Sequence, residues 1–171
     1  LDNRLGCAVQ IEALRRVKEA GTPHSVYFVF SVQEEVGARG AGPAAYGVKP
    51  HLALAVDVTP CGDQPRDREM AIRLGGGAAI KMRDDSLIVP PAVRDLLITR
   101  AEEAGIPYQL EVLTGGGTDG RTIQAARAGV PTGAISLPLR YVHTPSETAD
   151  MGDVRAAVDL LAAMLVGEVA F

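Results

Sequence analysis

A three-layer α/β/α sandwich built on a mostly parallel or mixed sheet is the fold this sequence predicts, and three observations predict it. Short apolar runs of strand length recur along the chain, segments with helical apolar spacing stand between them, and no repeat or low-complexity linker breaks the alternation. The 171 residues, 47% hydrophobic and 22% charged, suit one compact domain with a core of its own.

From the N-terminus, Leu5, Val9, Ile11, Leu14 and Val17 recur at near-helical spacing, and Gly21 and Pro23 stop the segment, so residues 3–19 are expected to form an amphipathic helix. Residues 25–32, Ser-Val-Tyr-Phe-Val-Phe-Ser-Val, read as a strand covered on both faces. A short Ala-rich helix follows at 40–46, then a second buried strand at 52–58 that carries an acid near its end. Residues 59–68 read as a polar, Pro-containing loop, and strands at 71–74 and 79–82 flank the triple glycine 75–77. Pro91 starts a helix that Gly105 stops. A strand at 109–113, a helix at 118–128 capped by Thr118 or Asp119, a strand at 131–136 and a last helix at 153–166 complete the order.

The net charge of −4 argues against a nucleic-acid binder, because phosphate binding needs a concentrated basic face. No apolar run reaches the roughly 18 to 20 residues that span a bilayer, and Leu1 is followed by a charged residue rather than by a signal-peptide pattern; we expect a cytoplasmic protein with no membrane partner. Cys7 and Cys61 lack Cys-x-x-Cys spacing and are expected to be buried small hydrophobes. The chain opens on Leu-Asp-Asn without an initiator methionine, and further sequence upstream is expected.

Chemistry concentrates at element edges, where α/β sheets collect functional groups. Glu34 and Glu35 follow the first strand, and in an extended segment adjacent side chains point apart, so one acid can hold a metal while the other faces water. Asp57 ends a buried run, where an unpaired carboxylate is costly unless a cation or hydrogen bonds meet it. Asp2 leads into the first helix and His143 follows the last strand-like run. Carboxylates with imidazole suit zinc, cobalt or manganese, and a carboxylate shared by two metals, for which Asp2 is the candidate, sets them about 3.5 to 4 Å apart for hydrolysis. Taken singly, Asp2 also reads as a helix N-cap, Glu34-Glu35 as a solvated pair and His143 as a loop histidine. Spacing alone leaves both sets of readings open.

Three segments resemble the family of tetrahedral-assembly metalloaminopeptidases, which includes glutamyl and deblocking aminopeptidases and some members labelled cellulases. They are Leu1-Asp2-Asn3-Arg4-Leu5-Gly6-Cys7, Gln33-Glu34-Glu35-Val36-Gly37-Ala38-Arg39-Gly40-Ala41 and Ala55-Val56-Asp57-Val58-Thr59. Gly115-Gly116-Gly117-Thr118-Asp119-Gly120 and Arg140-Tyr141-Val142-His143-Thr144-Pro145-Ser146-Glu147 follow in the same order, and Leu74 to Ile80 looks like the family's glycine strand pair.

The resemblance implies a zinc-peptidase-like fold and two divalent metal ions, zinc or cobalt. It implies that Asp2 bridges them, that Glu35 and His143 complete one site, that Asp57 belongs to the other, and that Glu34 is the general base. A further histidine from an upstream His-x-Asp motif and a small insert domain belong to the family pattern and have no counterpart in these residues, so the second metal site is expected to be incomplete here. His24 and His51 do not match that histidine and are expected at the surface. Short peptides with a free N-terminus are the implied substrates, and a homo-oligomer, a dodecamer in full-length members, is the implied assembly.

Gly116, Gly117 and Asp119 are weaker candidates: the glycines for close approach of a peptide backbone, Asp119 for orienting substrate or for capping a helix. Arg39 and Arg140 are candidate partners of the ligating carboxylates. The rival readings are an N-acyl amino acid deacylase or amidohydrolase of related fold, and a non-catalytic remnant acting as a binding or assembly module. A glycosidase is a poorer rival, since two carboxylates flanking a sugar bond need no ligating His143.

Overall fold

The chain orders itself as α1 (Arg4–Ala20), α2 (Ala41–Val48), β1 (Ala53–Pro60), β2 (Ala78–Arg83), α3 (Pro91–Glu103), β3 (Tyr108–Val112), α4 (Gly120–Gln124), β4 (Thr132–Arg140), β5 (Thr148–Ala149) and α5 (Met151–Val166). This computed structural model describes residues 1–65 and 70–169.

One mixed sheet runs β1-β4-β2-β3, with β5 paired to β4. β1 and β4 are parallel over eight residues, from Ala53 opposite Thr132 to Pro60 opposite Leu139. β2 is parallel to β3 and antiparallel to β4, meeting it at Ala79 opposite Ser136 and Ile80 opposite Ile135. The mixed sheet agrees with the expectation from sequence. Pro138 is tolerated inside β4 because it lies beyond the residues paired with β2.

Adjacent residues of β4 show where the layers are. A Cβ on Gly133 would touch Val93 and Leu97 of α3, whereas the Thr132 methyl faces Gly120 of α4. Successive side chains of a strand point to opposite faces, so α3 and α4 cover different sides of the sheet. On the α3 side the core joins Val9 and Ala13 of α1, Leu97 and Ala101 of α3, and Leu160, Leu161 and Met164 of α5 with Ile80, Ile135, Leu137 and Leu139 of the sheet. On the other side Ala45, Ala126 and Val130 form a smaller cluster.

Local chemistry fixes the helix ends. The Asn3 side chain accepts from Gly6 N–H at 3.0 Å to start α1, and Gly21, at φ 82°, stops it while its N–H bonds Val17 O at 2.9 Å. The buried face of α1 is Gly6, Val9, Ala13 and Val17, so Ile11 and Leu14 of the expected stripe face outward and Cys7 is exposed, while Cys61 is buried as expected. α5 begins two residues earlier than its apolar pattern suggested, because Asp150 caps it by accepting from Gly152 N–H at 2.6 Å. Asp153, buried in the first turn, takes the N–H groups of Gly75 and Gly77, each at 2.7 Å. At Gly77 the φ is +95° and a Cβ would fall 2.1 Å from Pro107 O, so only glycine fits this entry to β2.

Four expectations need correction. Residues 25–32 form no strand: no ladder partner reaches them among the described residues, and Tyr27, Val29, Phe30 and Val32 remain exposed. Residues 71–74 are irregular too, with Ile72 buried and its carbonyl taken by Gly62 N–H at 2.9 Å rather than by a neighbouring strand. The expected loop 59–68 begins later, because β1 continues through Pro60, and its residues 66–68 lie outside the described residues. The helix expected over 118–128 spans only Gly120–Gln124, closed by the turn in which Val130 N–H bonds Gln124 O at 3.1 Å.

Three buried charges sit within this core. Lys81 Nζ is 2.5 Å from Glu111 Oε1 and 3.6 Å from Asp84 Oδ2, and Thr59 Oγ1 donates to the same Glu111 oxygen at 2.8 Å. Removing one member of such a group leaves an uncompensated buried charge, which is costlier than replacing the pair with apolar residues. Lys81→Met should therefore cost about 3–5 kcal/mol in chemical denaturation. The double variant Lys81→Met, Glu111→Leu should recover a large part of that loss, and equal destabilisation by both variants would contradict the account.

Candidate active site

The β1–β4 register puts Asp57 opposite Ser136 and sends both strands out at the same end of the sheet, where β4 runs into the loop that carries His143. Asn3 ties the start of α1 to that end, its Nδ2 donating to Val56 O at 2.7 Å, so Asp2 is held beside Asp57. Glu34 and Glu35 arrive in a turn, not on an extended strand. The N–H groups of Gly37 and Ala38 bond Glu34 O at 3.0 and 2.9 Å, and both acids line the same cleft, whereas the sequence had suggested that one would face away.

His143 Nε2 lies 3.1 Å from Asp2 Oδ2 and 3.5 Å from Glu35 Oε2. Donor atoms of Asp2, Glu35 and His143 all fall within 4.8 Å of one another, the one such group of three or more donors among the described residues. Asp57 stands outside that trio, half-buried within β1, its Oδ1 accepting from Val58 N–H at 2.9 Å. With Glu34, Arg121 and Gly115 to Gly117, these residues line a cleft of about 470 Å³, the size of a small-ligand site. A hollow of about 540 Å³ around Pro43, Tyr46 and Thr122 holds no acid or histidine and offers no comparable chemistry.

The weaker candidates fall in the same region. Gly116 and Gly117 wall the cleft, where a Cβ on Gly117 would come 2.5 Å from Ser86 Oγ. Asp119 precedes α4 without capping it through its side chain. Its Oδ2 accepts from Ser31 O–H, and its Oδ1 is buried with no hydrogen-bond partner. Arg140 pairs with Asp63, at 2.7 and 3.1 Å, and not with the clustered acids. Nor does either remaining histidine join them: His51 is exposed, and His24, half-buried rather than on the surface, bonds Gly167 O at 2.9 Å.

Two residues escaped the sequence reading. Arg121 donates to Glu34 O at 3.3 Å and lies 3.6 Å from Glu34 Oε1. Glu147 accepts from the N–H groups of Asp2 and His143, both at 3.0 Å, and from the Leu1 amino group. Glu147 lay within a motif already singled out, but only the fold brings its carboxylate to Asp2.

The profile of the M42 glutamyl aminopeptidase family matches residues 1–160. The chain belongs to that family. An Acetivibrio thermocellus protein whose aminopeptidase assignment is provisional is 53% identical over 161 residues, covering 94% of this chain and 48% of that protein. The solved aminopeptidase of the archaeon Desulfurococcus kamchatkensis superposes with TM-score 0.90 at 43% identity, over 98% of this chain and 48% of that one. The Pyrococcus horikoshii TET1 peptidase, described as assembling into a tetrahedron or a large octahedral shell, superposes with TM-score 0.85 at 33% identity, over 96% of this chain and 48% of that one. This M42 chain thus spans about half the length of the curated relatives it matches.

Crowding of acids sets the electrostatics of this M42 cleft. The Asp57 carboxyl is pushed up to about 8, first by burial and then by the charges of Asp2, Glu34 and Asp119, against the pull of the Val58 N–H. Asp2 is raised by burial and by Glu35, with His143 acting the other way. Burial also raises Glu34, while the neighbouring Arg121 guanidinium restrains the rise. Such a set of carboxylates with one imidazole fits a divalent cation, whose charge would relieve the repulsion.

A pH dependence follows for the protein stripped of metal with a chelator. Asp57 binds its proton more tightly folded than unfolded, so its contribution to stability is whole below the unfolded value near 4 and is lost as pH rises towards 8. Melting temperature should fall between about pH 5 and pH 8, with a slope from this residue of at most about 1.4 kcal/mol per pH unit. Asp57→Asn should flatten that slope and melt higher than the parent at the alkaline end. A slope unchanged by the substitution would refute the assignment.

Proposed function

We propose that this chain is the metal-binding catalytic part of an aminopeptidase that removes N-terminal residues from short peptides. The observation that carries the reading is the Asp2, Glu35 and His143 trio within 4.8 Å, set beside a half-buried Asp57 in an open cleft. Asp2, Glu35 and His143 are the proposed ligands of one divalent ion, zinc or cobalt. Asp2 and Asp57 serve a second, which needs further donors to reach the usual three protein ligands. Divalent ions held there supply a Lewis acid for the scissile carbonyl and lower the pKa of water.

The chain's own residues supply the rest. Glu34 is the general base: its raised carboxyl is closer to the operating pH than an ordinary glutamate, and it can take the proton of the attacking water and return it to the leaving amine. Arg121, against both the carbonyl and carboxylate of Glu34, fixes the orientation of that base. Asp119, held by Ser31 behind the cleft and acting on Glu34 and Asp57 through its charge, is the proposed acid on the substrate side, and Gly116 and Gly117 let the peptide backbone approach. The full-length protein is expected to be a homo-oligomer, as the Pyrococcus horikoshii relative is.

In the full-length protein Glu34→Gln should lower kcat on an amino-acid anilide by about 10²- to 10⁴-fold while leaving bound metal unchanged. Metal stoichiometry and kcat measured on one preparation decide it; a variant that kept its metal and most of its kcat would remove Glu34 from the role.

A further inference from the structure

The two most widely separated members of the trio share one buried anchor. Asp2 and His143 come from opposite ends of the chain, and neither lies within a helix or a strand. His143 has φ 62° and Tyr141 φ 60°, a left-handed conformation that costs a non-glycine residue free energy and persists only where surrounding contacts impose it. The His143 ring is 67% exposed, so packing does not fix it, whereas the Glu147 side chain is only 8% exposed.

Glu147 immediately precedes β5, which is paired to the end of β4 at Leu139 opposite Ala149 and Arg140 opposite Thr148. The loop between these strands is therefore closed at its base by the sheet, and the Glu147 carboxylate projects from that rigid base. One oxygen, Oε1, takes the His143 N–H at 3.0 Å; the other, Oε2, takes the Asp2 N–H at 3.0 Å. Both backbones are thus referred to one planar group, and their side chains meet with 3.1 Å between His143 Nε2 and Asp2 Oδ2.

We propose that Glu147 is a positioning residue that sets the spacing of Asp2 and His143 for a divalent cation by holding the backbone N–H of each. The inference rests on the metal-site reading above. Glutamine at 147 has the same shape but one acceptor oxygen, so one of the two N–H groups would face an amide NH2 and the pair would drift apart. Alanine removes both acceptors.

The test titrates cobalt into the chelator-stripped full-length protein and its Glu147→Gln and Glu147→Ala variants, reading affinity, the d–d absorption bands and the metal-free melting temperature. Glu147→Gln should fold with a near-parental melting temperature, bind cobalt about 10- to 100-fold more weakly, and show displaced d–d bands; Glu147→Ala should show a larger change. Variants that melt lower but bind cobalt with parental affinity and spectrum would show a merely structural Glu147 and overturn the proposal. Should the unsubstituted protein itself bind no cobalt, the metal-site reading fails first and takes this one with it.

Discussion

Parallel pairing of β1 with β4 is the constraint on which the rest of this structure depends. Its register brings Asp57 and the His143 loop out at one end of the sheet, and the Asn3 bond to Val56 O then draws the start of α1, and with it Asp2, to the same place. Nothing in the local sequence of residues 1–3 would put Asp2 near residue 143. The central position of β4, paired on both sides and buried along eight of its nine residues, makes this arrangement costly to disturb. A slip of one residue in that pairing would turn Asp57 to the other face of the sheet.

Such a site stores electrostatic strain that the fold must offset elsewhere. Asp2, Glu34 and Asp57 all hold protons more tightly than ordinary carboxylates, so apart from a cation they weaken the folded state as pH rises. The core on the α3 side supplies the counterweight, and buried Lys81, on the other face of the sheet from its neighbour Ile80, shows the opposite solution to the same difficulty: two acids there are answered by a protein cation. The cleft has Arg121 beside Glu34 but, among the described residues, gives Asp57 no such partner in contact. Acids arranged without a protein counterion are what distinguishes a place for a bound cation from a structural ion pair.

Much of this was legible in the sequence, for reasons that differ by residue. The helices of α1, α3 and α5 follow from apolar spacing and from stop signals such as Gly21 and Gly105, because a helix satisfies its own backbone. Asp57 was legible from the buried run that leads into it, and the remaining acids and His143 from motifs taken together in register. The Glu34-Glu35 turn was not, since it depends on Gln33 adopting φ 59°, a conformation that side-chain pattern does not encode. Cys7 was misjudged because a residue type's average burial says nothing about which side of α1 it occupies. Arg121 and Glu147 were missed for a common reason: each acts on a backbone atom distant in sequence, Glu34 O for one and Asp2 N for the other, and such contacts leave no periodicity to read.

Residues 25–32 show the limit of composition most clearly. Their β-branched and aromatic content describes a preference for a pleated, half-buried surface, but a strand exists only where another strand takes its N–H and C=O groups. Among the described residues none does, and four large apolar side chains stay in water. The segment is nonetheless tied to the cleft at its far end, Ser31 to the Asp119 carboxylate and Val32 O to Gly40 N–H at 3.0 Å, on either side of the turn that presents Glu34 and Glu35. The exposed apolar run thus leads directly into Ser31, which holds Asp119, whose charge in turn bears on Glu34.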